Sequence, residues 1–134
     1  MIVLDEELQG LGLEAAIARW YRGAVLIVTQ LRPGTVIKDD GIPGLLRQVK
    51  QPTFVTINYA DFWRRVPADA SFCVVCLKLT ADRYGEISDL LRRLFRSAEF
   101  RTKSVRTGKV VSVSRRVIQY YCTSDKLIHI VGLA

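Results

Sequence analysis

Short apolar runs alternate along this chain with segments whose apolar positions recur at helical spacing. Ile2-Val3-Leu4 forms a buried strand ended by Asp5. Beyond Gly10-Leu11-Gly12, the positions Leu13, Ala16, Ile17, Trp20 and Tyr21 share one helical face, and Gly23 closes the segment. Residues 24–28 are continuously apolar and rich in β-branched side chains, the pattern of a parallel strand covered on both faces. Arg32-Pro33-Gly34 marks a loop. Lys38-Asp39-Asp40 leads into a second helix with Ile42, Leu45, Leu46 and Val49 on one face. Asp39 or Asp40 is placed to cap that helix, and Gln51-Pro52 ends it.

Residues 53–57 predict a third strand, followed by a loop with Asn58 and Asp61. Residues 71–79 predict a fourth. Ile87, Leu90, Leu91, Leu94 and Phe95 form a helical stripe, with Arg92, Arg93 and Arg96 off that face. Residues 101–108 read as a basic loop. Residues 110–122 and 127–131 read as two strands around a turn at Thr123-Ser124-Asp125. The order β-α-β-α-β-β-α-β-β predicts one α/β domain over residues 1–134, a sandwich around a mostly parallel sheet with a C-terminal antiparallel hairpin.

Composition supports a folded domain: 134 residues, 49% of them hydrophobic, suffice for a core. No apolar run is long enough to span a bilayer. The chain turns acidic at Asp5-Glu6-Glu7 and lacks the basic start of a secretory signal, so a cytoplasmic protein without membrane attachment is expected. Three cysteines in such a chain argue against a disulfide framework. Cys73 and Cys76 lie three apart on a predicted strand, hence on opposite faces, where core packing outweighs metal or redox chemistry.

Charge changes the picture. The net charge is +7, and residues 92–116 hold nine cations against Glu99 alone. Arg92, Arg93, Arg96, Arg101, Lys103, Arg106 and Lys109 belong to this block. One-sided positive charge attracts polyanions, most simply RNA; its bland alternative is a solvated surface.

Candidate chemistry lies at strand ends, because ligands of open α/β sheets bind outside the carboxyl ends of the strands. Asp5 follows the first strand, Asn58 and Asp61 follow the third, and Asp39 and Asp40 precede the second helix. Clustered carboxylates repel unless a cation joins them, and an oxygen-only set suits Mg²⁺ or Mn²⁺. The same residues also read as a polar strand exit, a helix cap and a turn. His129, the only histidine, sits in an apolar strand and reads as satisfied or surface-exposed. Tyr120 and Tyr121 face opposite ways, so one is inside; near the basic block, either can stack on a base. Of Phe62 and Trp63, one reads as core and one as rim. Neither Gly10-Leu11-Gly12 nor Gly41-Ile42-Pro43-Gly44 has the spacing of a phosphate-cradling loop.

Three short motifs resemble the PIN-like nuclease domains, in particular small bacterial PIN-like proteins. Ile2-Val3-Leu4-Asp5-Glu6-Glu7-Leu8 is similar to their opening strand running into L-D-E-N-L. Asp39-Asp40-Gly41-Ile42 matches an aspartate two residues before a helix-opening isoleucine. Val55-Thr56-Ile57-Asn58-Tyr59-Ala60-Asp61-Phe62 resembles a strand ending V-T followed by D-x-D-F. The matches cover about the first half of the chain, loosely to the strand at 71–79. The resemblance implies a three-layer α/β/α sandwich and a divalent-metal ribonuclease site, with Asp5 as primary ligand, Asp39 as the second carboxylate (Asp40 its substitute) and Asp61 as the third. Thr56 and Asn58 would assist by hydrogen-bonding a ligand water or phosphate. Relatives include toxins of toxin–antitoxin pairs, so an antitoxin protein and a homodimer are partners the resemblance allows. A domain that binds RNA or an acidic protein without cutting is the alternative. Two departures stand out: Asn58 replaces the first aspartate of D-x-D-F, and one extra residue precedes Asp61.

Overall fold

In the computed structural model, which describes residues 1–125 and 127–133, a three-residue strand organises the sheet. β1 (Ile2–Leu4) pairs in parallel with β2 (Val25–Ile27) on one side and β3 (Thr53–Thr56) on the other. β4 (Cys73–Leu77) and β5 (Lys109–Val113) continue the parallel sheet. β6 (Val117–Cys122) and β7 (His129–Gly132) close it as antiparallel neighbours. The seven strands run in the order β2-β1-β3-β4-β5-β6-β7.

Period-two alternation sends neighbouring side chains to opposite faces. Ile2, Leu4, Val55, Cys73, Val75 and Leu77 join one buried cluster, under α1 (Leu13–Ala18) and, later in the chain, a second helix packed beside it. Val3, Phe54, Val74 and Cys76 join the other, under α2 (Ile42–Leu46) and the short α3 (Tyr59–Phe62). The helix beside α1 is α4 (Ile87–Leu94), whose Ile87, Leu90, Leu91 and Leu94 are all buried. Trp20 Nε1 donates to Ser88 Oγ at 2.9 Å and ties the end of α1 to it. Helices thus cover both faces of the sheet, giving a three-layer α/β sandwich. Cys73 and Cys76 are free and lie on opposite faces, as their spacing requires. No helix among the described residues is long and apolar enough to cross a membrane.

Several elements differ from the sequence pattern. Residues 110–122 form two strands rather than one. The polar trio Ser114-Arg115-Arg116 makes the turn, with Ser114 N–H donating to the Val117 carbonyl at 3.0 Å. The C-terminal hairpin is therefore a three-strand meander. β2 stops at Ile27, because the Gln30 side chain accepts from Ile27 N–H at 2.8 Å and Val28 opens a 3₁₀ turn. The basic stretch 101–108 contains a helical turn, α5 (Lys103–Arg106), capped by Thr102. Neither Asp39 nor Asp40 caps α2; both lie in a 3₁₀ turn before it.

Candidate active site

After β1 the chain steps to β2 on one side, and from there crosses to β3 on the other. This reversal opens a crevice at the carboxyl ends of β1 and β3, where ligands of such sheets bind. Asp5 is the first residue past β1. Its N–H continues the ladder to the Val55 carbonyl at 2.9 Å, so the backbone fixes its position. Its side chain is almost wholly buried and accepts from Glu6 N–H at 2.7 Å and from the Thr56 hydroxyl at 2.6 Å. Thr56 Oγ1 in turn accepts from Asn58 N–H at 2.9 Å. A short relay thus runs from the end of β3 to the Asp5 carboxylate.

Asn58 extends the relay outward. Its amide donates to Asp39 Oδ2 at 3.1 Å and to Asp61 Oδ2 at 2.9 Å. Asp61 sits in the first turn of α3, where Asn58 is the N-cap and accepts from Asp61 N–H. Of the residues singled out from sequence, Asn58 bridges Asp39 and Asp61, and Thr56 links Asp5 to the Asn58 backbone; the three carboxylates share one crevice without forming a close ligand trio. Asp40 lines a cavity of about 410 Å³ together with Asp39, Asp61 and Arg65.

Glu7 belongs to this group as well. It follows Asp5 in a 3₁₀ turn whose third residue, Leu8, is buried, and Glu7 itself stays exposed. Burial and the charges of Asp5, Asp39 and Asp61 push its carboxyl above the usual range. Asp39 is raised by partial burial and then by Asp5 and Asp61. Asp5 is raised by burial, against the opposing hydrogen bonds from Thr56 and Glu6. Carboxylates that raise one another form an oxygen-only, negatively charged crevice suited to a hard divalent cation. The signal for Glu7 was present in the sequence, two residues after Asp5, but its approach to Asp39 and Asp61 depends on the crossing of β2 to β3.

Part of the basic block lies at the other end of the sheet, whereas Arg115 and Arg116 stand in the turn after β5. Arg92, Arg96, Arg101 and Lys103 line a cavity of about 560 Å³ with Arg19 and Arg22, arginines from the end of α1 that the one-dimensional block does not contain. Trp20, Tyr21 and Phe95 form its aromatic wall, their rings 5.7–6.1 Å apart in edge-to-face pairs. No carboxylate lines it among the described residues. The α1 terminus and α5 precede β2 and β5, so this cavity lies at the amino ends of the strands. Met1 N donates to Tyr21 Oη at 2.8 Å on that side, whereas Asp5 lies across β1, about 13 Å away at ~3.3 Å per residue.

Three of the expected basic contacts have other partners. Arg106 is 4% exposed. Its guanidinium lies 4.0 Å from the Phe95 ring centre and donates to the carbonyls of Phe100 and Arg101 at 2.9 and 3.2 Å. Lys109 Nζ donates to the Glu99 carbonyl at 2.8 Å and lies over the rings of Phe100 and Tyr120. Arg93 pairs with Asp89 at 4.0 Å. Tyr121 turns inward, its hydroxyl donating to the Val66 carbonyl, while Phe62 is core and Trp63 is half-buried beside Tyr121. No family model matches the chain, and neither a curated protein nor a solved structure matches it.

Proposed function

We propose that this chain is a divalent-metal-dependent endoribonuclease of PIN-like type. The observation that carries the reading is the hydrogen-bonded chain that links Asp5 through Thr56 and Asn58 to Asp39 and Asp61 at the sheet's reversal point. The donor set is all oxygen; burial raises Asp5, and burial with the charges of Asp5 and Asp61 raises Asp39, a cost that a cation relieves. Asp5, Asp39 and Asp61 would hold Mg²⁺ or Mn²⁺, with Asp40 and Asn58 assisting. Bound there, such an ion supplies a water of lowered pKa and neutralises charge growing on a phosphate.

The chain's own residues do the rest. Thr56 fixes the Asp5 carboxylate by donating to Oδ2. Asn58 spaces Asp39 and Asp61 without adding a charge, so affinity for the ion is lower than an aspartate there would give. Arg65, in the same cavity, meets a phosphate beside the acids. Arg92, Arg96, Arg101 and Lys103 hold a more distant part of the RNA at the amino end.

A second reading, binding without cleavage, is favoured by Asn58 and by the separation of the basic cavity from the acids. The deciding experiment is cleavage of end-labelled single-stranded RNA with Mn²⁺, Mg²⁺ or EDTA, beside Asp5→Asn. Metal-dependent cutting lost in the variant supports the nuclease. Salt-sensitive binding without cutting, unchanged in Asp5→Asn, supports the binding domain. A toxin role requires one result more, inhibition of the cutting by an acidic antitoxin protein.

A further inference from the structure

The turn between the last two strands gathers a different set of donors. Cys122 ends β6, Asp125 lies in the turn, and His129 opens β7. One ligand atom from each lies within 4.8 Å of the other two, and all three residues are half-buried. Among the described residues this is the one group of three or more His, Cys, Asp and Glu side chains drawn that close. Two of the three are held by contacts outside the trio. The His129 ring stacks on Tyr120, its cross-strand partner, at 4.8 Å and 16°. Leu127 N–H donates to Asp125 Oδ1 at 3.0 Å. His129 Nε2 already meets both Asp125 oxygens, at 3.0 and 3.2 Å. Cys122 Sγ lies 3.1 Å from Ser124 Oγ.

We propose that Cys122, Asp125 and His129 bind one zinc-class divalent cation, with a fourth position open to water. A thiolate, an imidazole and a carboxylate suit Zn²⁺ and the later transition metals, while the sulfur disfavours Mg²⁺ and Ca²⁺. The spacing supports this. Two residues separate Cys122 from Asp125, and three separate Asp125 from His129 in sequence, a short ligand spacing; three protein ligands with an open fourth position is the pattern of zinc sites that keep a water. Metal–ligand bonds of about 2.0–2.3 Å require the donors to close in by ~1 Å, within reach of side-chain rotation at an exposed turn. A cavity of about 510 Å³ borders Cys122 and Asp125 and leaves room for the fourth ligand. The ion would tie β7, paired on one side only, to β6. Its ligands must be deprotonated, so uptake weakens as pH falls.

This site is independent of the acidic crevice, and its test keeps the two apart. The full chain is titrated with Zn²⁺ by calorimetry and with Co²⁺ by absorption spectroscopy. The expected result is one thiolate-ligated metal per chain, marked by a thiolate-to-cobalt charge-transfer band in the near ultraviolet and counted apart from any metal taken up by the acidic crevice. Cys122→Ser abolishes the band, and Cys122→Ser, His129→Ala and Asp125→Asn each weaken Zn²⁺ binding ~10-fold or more. Asp5→Asn leaves the charge-transfer band unchanged, and Cys122→Ser leaves any Mn²⁺-dependent cleavage unchanged. Circular dichroism confirms that the variants fold. Absence of the thiolate-to-cobalt band in the wild type, or Zn²⁺ affinity and stoichiometry unchanged in both Cys122→Ser and His129→Ala, overturns the proposal.

Discussion

Asn58 donates one bond to Asp39 and another to Asp61, so a single neutral side chain lets two exposed carboxylates share a crevice. Asn58→Asp replaces those donors with a third negative charge. In EDTA the variant should lose about 1–3 kcal/mol of stability, read from urea denaturation. Mn²⁺ should restore more stability to it than to the wild type, because a ligand that binds the folded state stabilises by mass action. Asp5 makes the complementary case. Burial raises its carboxyl, and the raised values of Asp39 and Glu7 accompany it. The folded chain therefore holds these protons more tightly than the unfolded chain. The stability they contribute is full at low pH and is lost as pH rises through the raised native values. In EDTA, Asp5→Asn should gain urea midpoint relative to wild type from the ordinary carboxylate range upward. A difference that stayed constant with pH would remove the electrostatic account.

At the scale of elements, the short α5 shows how position overrides charge. Its sequence, Lys-Ser-Val-Arg, is polar, yet Arg106 turns inward against Phe95 and bonds the carbonyls of Phe100 and Arg101. The buried guanidinium anchors the segment that leads into β5. Arg106→Ala exposes Phe95 and leaves two carbonyls without these donors, so it should cost about 2–4 kcal/mol in urea denaturation. Arg101→Ala, at an exposed position, should change stability by no more than ~0.5 kcal/mol. Equal costs for the two would contradict the separation of anchor from surface. The C-terminal meander follows a similar logic. Val113 and Ile118 pair across β5 and β6, and the polar residues between them are left to turn.

Across the whole molecule, the acidic crevice and the basic cavity stand at opposite ends of the sheet. The crevice carboxylates stand at the carboxyl ends of β1 and β3, and Arg19, Arg22, Arg92, Arg96, Arg101 and Lys103 stand at the amino ends. If RNA uses both, removing amino-end cations should weaken binding without changing the metal requirement. The double variant Arg96→Ala with Arg101→Ala should lower the slope of log affinity against log salt by up to about 2. Filter binding at several salt concentrations reads this, and an unchanged slope would place the RNA elsewhere.

The parallel sheet, the helix stripes and the opposite facing of Cys73 and Cys76 were legible in the sequence, because periods of two and of about 3.6 are local properties of the chain. The acidic candidates were legible as residue types at strand ends and, through the PIN-like resemblance, as a set. Their convergence on Asn58 was not, since it depends on the crossing from β2 to β3 around β1. Local pattern also missed the turn at Ser114-Arg115-Arg116, because three polar residues inside a β-rich run read as an exposed strand face until pairing is known. It missed the burial of Arg106, where an aromatic face and two free carbonyls accept a guanidinium that composition alone assigns to the surface. His129 read as a strand histidine, and only the pairing of β6 with β7 brings it to Asp125 and Cys122. Local pattern was enough for the parallel strands and the longer helices and for which side chains carry charge, but not for the short α3 and α5 or the turn between β5 and β6. The tertiary structure decided which of those charges meet, because approach across the sheet depends on strand order, and strand order is not a local property.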